Sequence, residues 1–523
     1  MFNKFFLVFL NYFLNNSIII NIKSKKFNKN INNSNFANIE FENLAISKNV
    51  FLSKKSPYKE YNEKSLEYHN FNWLAAARKI GGIEAINLAK KHIFLWQKNK
   101  YSLFSFAWNN EIIAKRIINL FYHYDFFATS SNDKEKKILL NIIAKNYFIL
   151  DLNVNIEKKI TEYSLEVAKS LLLFKLIFNL NTSKIINSIK KHLLRNIDVH
   201  GVHISMNPCY HAEYINNLYE IKNIMLYFKI SLPDEINYQI LNMTSSLIKF
   251  FHKNNSIALF NGANNSNLIK VKKISQLSKD IKAKDLHKIN NGIAIFENKN
   301  LKIFFDVTKP NVKLISQNLH AGTLGFEISC KNEKIITNCG SIEKRGVKKL
   351  NYLRYSAAHS TIILNNTNIS ELGDRKSYKR VPENVLFNHS LNDRYLIWQG
   401  NHDGYKKNFN KLVSRKLFVD QNNFIVIGED SIISTKITTK DILYDIRFHL
   451  TPDCKASLTR GKNSILIMTK MNNSFIFESD SNLKLDDSVY VEDGKKIEKT
   501  SQIVISGFVN SFKKTIKWKI TKA

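Results

Sequence analysis

Cysteine is scarce in this sequence, and the spacing of the cysteines matches no disulfide framework or zinc-binding motif. The 523 residues include four cysteines, which lie far apart and form no CxxC pair: Cys209, Cys330, Cys339 and Cys454. Disulfide frameworks and zinc fingers both need closely and regularly spaced cysteines, and the sequence shows neither pattern. Cysteine usage therefore leaves the redox compartment open.

Long apolar runs are also missing. The N-terminal stretch MFNKFFLVFLNYFLNNSIII is apolar from Phe5 to Leu10, but three asparagines interrupt the residues after Leu10. A membrane-spanning helix needs about 20 mostly apolar residues, so we expect no transmembrane span. Two interpretations of the stretch stay open: an uncleaved amphipathic helix, or a degenerate secretory signal without a small-residue cleavage motif. We expect residues 1–70 to form this amphipathic segment and an irregular lead-in.

Acidic residues are too few to balance the basic ones. There are 78 Lys+Arg against 44 Asp+Glu, which gives a formal net charge of +34. Such a charge attracts polyanions, namely nucleic acid, anionic lipid headgroups or acidic glycans. The excess is nearly all lysine and accompanies abundant asparagine and isoleucine, a pattern that genome base composition alone also produces. Charge therefore favours an acidic partner without identifying one.

Signatures of nucleotide and nucleic-acid binding are absent. The sequence contains no glycine-rich phosphate loop, no zinc-finger spacing and no helix-turn-helix pattern. Only the net charge therefore supports a nucleic-acid-associated function. We expect no specific nucleic-acid partner.

Residues 71–255 have the periodicity of helices. In PDEINYQILNMTSSLIKFF apolar residues recur at steps of four and three, at Ile236, Ile240, Met243, Leu247 and Phe250. The segment KKITEYSLEVAKSLLLFKLIF carries two apolar faces, so neighbouring elements must cover it on two sides. Successive helices with short connectors then predict stacked helical hairpins.

Residues 256–523 have the two-residue period of strands. The segments LKIFFDV, YDIRFHL and TIKWKI each turn alternate apolar side chains to one face. In YDIRFHL this alternation places Arg447 and His449 on the opposite face from Ile446 and Phe448. Polar runs such as NHDG and VEDGKK separate the strands. We therefore predict an α+β multidomain protein whose C-terminal half is an antiparallel β-domain of two packed sheets.

One stretch, HGVHISMNPCYHAEYINNLYEI, concentrates side chains that can carry out chemistry. Pro208 suits the first turn of a helix and Asn207 its N-cap, so HGVHISMN is the loop that leads in. Tyrosine and histidine together can abstract and return a proton, and a helix N-terminus favours a nearby anion. The stretch therefore favours a carboxylate-bearing substrate. The alternative is that its tyrosines pack and its histidines are solvated.

Three further residues lie beside strand-like runs in the C-terminal half. His320 lies in NLHAGTLGFEIS, Cys339 in IITNCGS and His359 in SAAHSTIILNN. Long-range strand pairing could bring them together, and imidazole and thiolate groups are zinc ligands. Purely structural histidines are the alternative.

Several of these motifs occur together in an order that resembles the heparinase II/III-like family. From about Phe71 to the end, the chain contains VHISMNPCYHAEYINNLYEIKNIM, SIALFNG, NLHAGTLGFEIS, NCGS, RYSAAHSTIILNNT, HDGY, GED, IRFHLTP and VYVEDG. The resemblance implies an N-terminal incomplete α/α-toroid at residues 71–255 and a β-sandwich at residues 256–523. It also implies a polysaccharide lyase that cleaves a uronic-acid glycan by β-elimination, and a structural zinc in the β-domain.

The resemblance assigns roles to residues of the NPCYHAEY motif. Elimination needs a group that neutralises the C5 carboxylate, a base for the C5 proton and an acid for the leaving oxygen. Tyr210 matches the catalytic tyrosine of the toroid. His203 and His211 are the neighbours that would neutralise charge or share the proton. The expected substrate-binding residues of the same stretch are His200, Asn207 and Glu213.

On the β-side the chain departs from the family pattern at two positions. Family lyases often show His-x-His-x-Asp where this chain has Asn318 and His320, so Asn318 falls on the histidine that is often catalytic. The zinc ligands implied are His320, Asn338 and His359, with Asn338 in place of an aspartate. Because asparagine is a poor zinc ligand, the two histidines could instead be joined by hydrogen bonds.

The sequence therefore predicts a polysaccharide lyase whose partner is an acidic polysaccharide such as a glycosaminoglycan or alginate. Asparagine at positions 318 and 338 favours an alternative, a catalytically altered protein of the same fold that binds or processes an envelope glycan. Because the family often works in the envelope, we expect the cell envelope or periplasm rather than the cytoplasm.

Overall fold

The computed structural model describes most of the chain as two compact units. The residues described are 66–99, 101, 105–156, 164–265, 292–310, 320–342, 352–373, 378–436, 441–461 and 463–523. The helical unit comprises the chain up to Asn196 together with Tyr214–Ile240, and the β-unit comprises Ile197–Glu213 and Leu241–Ala523. The N-terminal amphipathic helix or signal predicted from the sequence lies outside the described residues.

Helices make up the regular structure as far as residue 249. Their bounds are α1 Leu66–Asn70, α2 Trp73–Ile80, α3 Gly82–Lys98, α4 Asn110–Tyr122, α5 Tyr124–Ala128, α6 Asp133–Ile156, α7 Leu165–Ile177, α8 Ser183–Asn196, α9 Pro208–Tyr227 and α10 Asp234–Lys249. The stripe predicted for α10 is confirmed, since Ile236, Ile240, Met243, Leu247 and Phe250 are all buried. No helix within these described ranges combines the length and apolarity that a membrane crossing requires.

Helix α7 shows why the helical unit is layered. Its N-cap Ser164 accepts a hydrogen bond from the Val167 N–H group. Residues on both predicted faces, such as Leu171 and Leu172, are buried, because α7 packs against α4, α6 and α8. On one side the ring of Phe174 stacks on Tyr147 of α6, with centroids 3.6 Å apart.

A buried charge cluster joins α7 to α9 within the helical unit. The Lys169 ammonium group is 3% exposed, forms ion pairs with Glu166 and Glu220, and donates a hydrogen bond to Asn217. A lysine this deeply buried is tolerated only when it is paired. The cluster therefore fixes the register of the two helices.

The β-unit contains two eight-stranded sheets in the described part of the chain, and all pairings in them are antiparallel. The strands of the first sheet are β1 Ile293–Glu297, β2 Leu301–Asp306, β3 Phe326–Cys330, β4 Glu333–Thr337, β5 Ile362–Leu364, β12 Ile442–Leu450, β16 Leu483–Tyr490 and β17 Glu498–Val509. They have the order β1-β2-β3-β4-β12-β17-β16, with β5 also paired to β12.

The strands of the second sheet are β8 Val385–Leu391, β9 Tyr395–His402, β10 Lys411–Asp420, β11 Ile425–Ser434, β13 Cys454–Leu458, β14 Ser464–Thr469, β15 Ser474–Ser479 and β18 Lys513–Lys522. They have the order β13-β14-β15-β18-β11-β10-β9-β8. A short pair, β6 Glu371–Leu372 and β7 Tyr378–Arg380, and one helical turn, α11 Lys406–Phe409, complete the unit.

The core of the β-unit lies between the two sheets. Trp518 of β18 stacks on Phe326 of β3 with ring centroids 5.5 Å apart, and Phe448 of β12 meets it edge-on at 4.9 Å. A Cβ atom on Gly428 would lie 2.0 Å from the Trp518 ring, so only glycine fits there. The predicted pair of packed sheets is confirmed.

Two predicted strands are more deeply buried than their alternation suggested. All six residues of β2, Leu301–Asp306, are buried, because other elements cover both of its faces. In β12, His449 does point away from Phe448, but it is only 2% exposed. Its Nε2 atom lies 3.0 Å from the Ala357 carbonyl oxygen, so the segment after residue 356 covers that face.

Candidate active site

The start of α9 is held as the sequence predicted. The Asn207 side chain accepts the Tyr210 N–H group at 2.9 Å, so Asn207 is the N-cap and Pro208 opens the helix. The Asn207 amide also donates to the Asn261 carbonyl at 2.9 Å, and the Asn261 amide donates to the Met206 carbonyl at 3.1 Å. The turn that presents Tyr210 is therefore fixed from two directions.

Tyr210 and His203 lie in contact at this helix start. Tyr210 is 41% exposed, whereas His203 is 4% exposed, and their rings meet edge to face with centroids 4.8 Å apart. The His203 Nδ1 atom accepts the Ser205 N–H group at 3.1 Å. A neutral His203 therefore carries its proton on Nε2. The pair combines a solvent-facing phenol with a buried, oriented imidazole.

His211 has a different environment from its neighbour Tyr210. It is 1% exposed. Its Nδ1 atom accepts the His203 N–H group at 3.2 Å, and its Nε2 atom lies 2.9 Å from the Met243 carbonyl oxygen. Burial lowers the pKa of His211 to about 4. This geometry supports a role in holding the His203 loop against α10, and the predicted proton-sharing role stays a prediction.

The loop that carries His200 is tied to α10 as well. The His200 carbonyl accepts the Ser246 hydroxyl at 2.6 Å, and its N–H group donates to Asp198 at 2.9 Å. Gly201 has φ +76°, and a Cβ atom there would lie 2.7 Å from the Asn242 backbone. His200 and Glu213 are both partly exposed, and their predicted substrate contacts stay predictions.

A chain of hydrogen bonds links the helix start to the NCGS segment. The Cys209 thiol donates to the Asn264 carbonyl. The Asn264 amide then donates to the Ser341 hydroxyl at 3.2 Å, and that hydroxyl donates to the Gly262 carbonyl at 2.6 Å. Ser341 is the last residue of NCGS. The two clusters singled out in the sequence are therefore joined through residues 261–264.

His320 and His359 form a buried pair. The Nδ1 atom of His320 lies 3.2 Å from the Nε2 atom of His359, and the side chains are 4% and 2% exposed. Burial lowers the pKa of His359 to about 4. Burial, followed by the charges of His359 and Arg354, lowers the pKa of His320 further. A Cβ atom on Gly322 would lie 2.8 Å from the His359 ring, so the glycine of HAGTLG lets the ring approach.

Asn338 is occupied by bonds to its neighbours. Its side-chain oxygen accepts the Ser360 N–H group at 3.1 Å, and its amide nitrogen lies 3.4 Å from a Glu327 carboxylate oxygen. The Asn338 backbone N–H group donates to the same oxygen at 3.0 Å. Asn338 therefore connects the strand of Glu327 to the segment of His359.

Glu327 is the centre of a buried network that sequence reasoning missed. Its carboxylate lies 2.8 Å from the Nε2 atom of His252 and 3.7 Å from the Lys334 ammonium group. Burial alone would raise the pKa of Glu327, but Lys334, His252 and the Asn338 N–H group hold it at about 2. An acidic residue inside the apolar run GFEIS was the available sequence signal.

Ser329, His252 and Glu327 have the order of a nucleophile, a base and an orienting acid. The Ser329 hydroxyl lies 2.9 Å from the His252 Nδ1 atom. All three side chains are nearly or fully buried, with exposures of 1%, 1% and 0%. A nucleophile must reach its substrate, so this geometry serves structure. It anchors residues 250–259 to β3, since the Leu259 N–H group also donates to Glu327.

The donor set around His320 does not fit the structural zinc implied by the family. Such a site uses four Cys, His or acidic ligands, whereas His320 and His359 supply two nitrogens and Asn338 is engaged elsewhere. Nowhere in the described parts of the chain do three His, Cys, Asp or Glu side chains converge as a metal site. Zinc at His320, Asn338 and His359 stays a prediction.

Asn318, the remaining predicted catalytic residue, lies outside the described residues. Next to His320 the structure instead adds Tyr378, whose hydroxyl donates to the His320 carbonyl at 2.8 Å. Arg354 is close enough to lower the pKa of His320. Asp306, at the end of β2, is buried, and that burial raises its pKa to about 7. An aspartate that ends an apolar run was again the available signal.

Comparison with known proteins agrees with this architecture. Residues 284–519 match the family model described as Heparinase II/III-like, C-terminal. The chain is 22% identical to the FtsZ-localized protein C of Caulobacter vibrioides (strain NA1000 / CB15N) over 483 aligned residues. The alignment covers 88% of this chain and 82% of that protein.

Solved structures show the same fold over nearly the whole chain. A heparinase III matches with a TM-score of 0.66 at 14% identity, over 94% of this chain and 85% of that one. The heparan sulfate lyase HepC from Pedobacter heparinus matches with a TM-score of 0.59 at 13% identity, over 94% and 83%. The fold is thus a helical toroid followed by a β-sandwich, as the family resemblance implied. Residues 284–519 of this chain are thus similar to the C-terminal domain of the heparinase II/III-like family.

Proposed function

We propose that this protein is a polysaccharide lyase that cleaves a uronic-acid glycan by β-elimination. The observation that carries the proposal is the pairing of the half-exposed Tyr210 phenol with the buried His203 imidazole at a helix N-terminus. The helix N-terminus supports it further, because its positive end stabilises a phenolate or a substrate carboxylate. The names of the structural relatives, a heparinase III and a heparan sulfate lyase, supply the class of substrate.

The reaction moves one proton and breaks one bond. A base takes the proton from C5, the electron pair forms the C4=C5 double bond, the C4–O bond breaks, and the leaving oxygen receives a proton. Tyr210 can perform both transfers, accepting the C5 proton as phenolate and returning it as phenol. His203, with its proton on Nε2, is a hydrogen-bond donor beside that ring. Neutralisation of the substrate carboxylate requires a further group, which must be cationic or a hydrogen-bond donor.

Replacing Tyr210 with phenylalanine is expected to lower kcat at least about 100-fold, since it removes the proton-transferring hydroxyl. The reaction is followed by the ultraviolet absorbance of the unsaturated uronate, over a panel of uronic-acid glycans. Tyr238→Phe is the matched control, because Tyr238 is 61% exposed on α10. If both variants retain full activity, Tyr210 is not the proton-transferring residue. If the unaltered protein gives no product with any glycan, the lyase proposal fails.

A second candidate is a catalytically altered protein of the same fold that binds or processes an envelope glycan. Asn338 favours it, since its engaged side chain stands where family lyases have a metal-binding aspartate. The FtsZ-localized relative supports an association with the cell envelope, which we also propose as the location of this protein. Binding to a glycan array without formation of a double bond would select this candidate over the first.

A further inference from the structure

The end of β17 and its connection to β18 expose two phenylalanine rings at one end of the β-sandwich. Phe508 is 59% and Phe512 63% exposed, whereas Val509 between them is 1% exposed. Because β17 belongs to the first sheet and β18 to the second, this connection crosses from one sheet to the other. Val509 anchors it in the core between the sheets. Two large apolar side chains exposed so close together in the sequence are a candidate contact surface.

Backbone pairing holds the residues that carry the two rings. The Phe512 carbonyl accepts the Ser434 N–H group at 2.8 Å, which ties the connection to the end of β11. Phe508 lies opposite Leu443 in the ladder between β17 and β12. Both rings are therefore carried by ordered backbone, so that little backbone entropy is lost when a partner covers them.

Four exposed lysines lie at the same end of the β-sandwich. Lys513 lies opposite Ile433 in the ladder between β18 and β11. Just after β11, the Thr435 N–H group donates to the Asn410 carbonyl at 2.8 Å, which brings this segment against the end of α11. The lysines carried by these segments are Lys406 and Lys407 of α11, Lys436 and Lys513. Three separate segments thus bring lysines to the end that carries the two rings.

Little negative charge balances these lysines. The described segments at this end, 406–410, 434–436, 441–443 and 508–513, include one acidic residue, the exposed Asp441. None of the four lysines forms an ion pair within the described parts of the chain. This end of the β-unit is therefore both apolar and positively charged, which is the combination that binds a negatively charged membrane surface.

We infer that this end of the β-unit docks on the surface of an anionic lipid bilayer. Phe508 and Phe512 enter the region between the headgroups and the acyl chains, and the lysines meet the anionic headgroups. A bilayer presents an apolar layer directly beneath a layer of negative charge, so it satisfies both features at once. A soluble acidic glycan can pair with the lysines, but it has no apolar interior for two phenylalanine rings. The inference goes beyond the proposed lyase activity and does not depend on it.

Vesicle flotation of the purified full-length protein tests the apolar part of this surface. The vesicles contain phosphatidylcholine with or without phosphatidylglycerol, at physiological salt. Phe508→Ser/Phe512→Ser is expected to weaken partitioning onto the anionic vesicles at least about tenfold, because the two rings no longer leave water. Leu386→Ser/Leu391→Ser on β8 is the matched control, since these leucines are 59% and 65% exposed. The control should float as the unaltered protein does.

The charged part of the surface is tested with two variants of equal net charge. Lys406→Gln/Lys407→Gln is expected to weaken partitioning onto the anionic vesicles about 30-fold, because each lysine near the headgroups contributes to the attraction. Lys455→Gln/Lys484→Gln removes the same charge from other exposed positions of the β-unit. Its loss should stay below about threefold, since charges farther from the bilayer than the Debye length are screened.

Three results would overturn the membrane surface: no flotation of the unaltered protein with anionic vesicles, equal flotation of the phenylalanine variant and its leucine control, or equal flotation of the two lysine variants. If the phenylalanine variant fails to fold, as judged by circular dichroism, the lysine variants decide. Binding to hyaluronan or heparosan that Lys406→Gln/Lys407→Gln loses, without vesicle binding, would overturn it in favour of a glycan surface. Tyr210→Phe should leave flotation unchanged, so failure of the lyase and failure of the membrane surface are separate outcomes.

Discussion

Asp430→Ala is expected to lower the free energy of unfolding by about 3–5 kcal/mol, the usual cost of removing one partner of a buried ion pair. Asp430 and Arg415 are both 0% exposed and face each other on β11 and β10. The carboxylate accepts two N–H groups of the guanidinium, at 2.7 and 2.9 Å. Without it, a positive charge would stay buried and unpaired.

Asp430→Ala would also disturb hydrogen bonds outside the Arg415–Asp430 ion pair. Asp430 also accepts the Trp518 indole N–H group at 2.9 Å. Arg415 donates to the carbonyls of Leu324 and Ser360 at 2.9 and 2.8 Å. Those two carbonyls belong to the HAGTLG and AAHS segments that carry the paired histidines. The ion pair thus holds the site segments against the second sheet.

Urea unfolding followed by tryptophan fluorescence measures this prediction. Arg394→Met is the matched control, because the Arg394 side chain is 63% exposed and its partner Asp420 keeps the Asn422 and Asn423 N–H groups as donors. This change should cost no more than about 1 kcal/mol. The double variant Arg415→Met/Asp430→Leu should recover part of the loss, because no buried charge is left unpaired. Equal stability of Asp430→Ala and Arg394→Met would contradict the assigned role.

Mild acid is expected to unfold the β-unit, with stability falling by roughly 6 kcal/mol per pH unit near pH 5. Six of its buried histidines are held neutral by burial. Their pKa, ordinarily 6.5, is lowered to about 4 in His211, His252 and His359, to about 3 in His402 and His449, and well below 6.5 in His320. Before Asp306 is counted, the unfolded chain therefore binds about six more protons at pH 5.

The sign of the effect follows from these pKa values. A histidine whose pKa is lowered in the folded state contributes stability that is complete above pH 6.5 and is lost as the pH falls toward 4. Asp306, whose pKa is raised to about 7, acts in the opposite direction and removes roughly one proton from the difference. Glu327, held at about 2, contributes only below pH 4.5.

Urea midpoints at pH 7.5, 6.5, 5.5 and 4.5 measure the pH dependence. His389→Asn should leave it unchanged, because His389 is exposed. His402→Asn should reduce the slope of stability against pH by about one proton, because it removes one titrating group. The variant should still fold, since an asparagine can accept the Gly404 N–H group that His402 accepts at 3.2 Å. A midpoint that is constant from pH 7.5 to 4.5 would show that these histidines are not buried neutral.

Local sequence patterns predicted the helices and strands because side-chain spacing and helix capping act over only a few residues. The spacing of Ile236, Ile240 and Met243 specifies which face of a helix is apolar, and that face is buried. Asn207 and Pro208 specified a helix start through backbone hydrogen bonding within three residues. Alternation through Ile516, Trp518 and Ile520 predicted a strand with one buried face. Nothing distant was needed for these predictions.

The roles of individual site residues depended on packing between distant segments. Tyr210 and His211 are adjacent, yet one is 41% and the other 1% exposed, because successive residues on a helix point about 100° apart and α10 covers only one of those directions. The Ser329–His252 and Arg354–His320 neighbourhoods join residues whose separation no local period encodes. Asn318 lies outside the described residues, so its role stays a prediction.

The sequence by itself determined a helical half, a β-half and a polar stretch at one helix start, since periodicity and capping act over a few residues. Only the tertiary structure decided which titratable groups are buried, and hence neutral or paired, because burial depends on what the rest of the chain places over them. It made Glu327 and Asp430 anchors of the fold. It also left Tyr210 half-exposed at the start of α9.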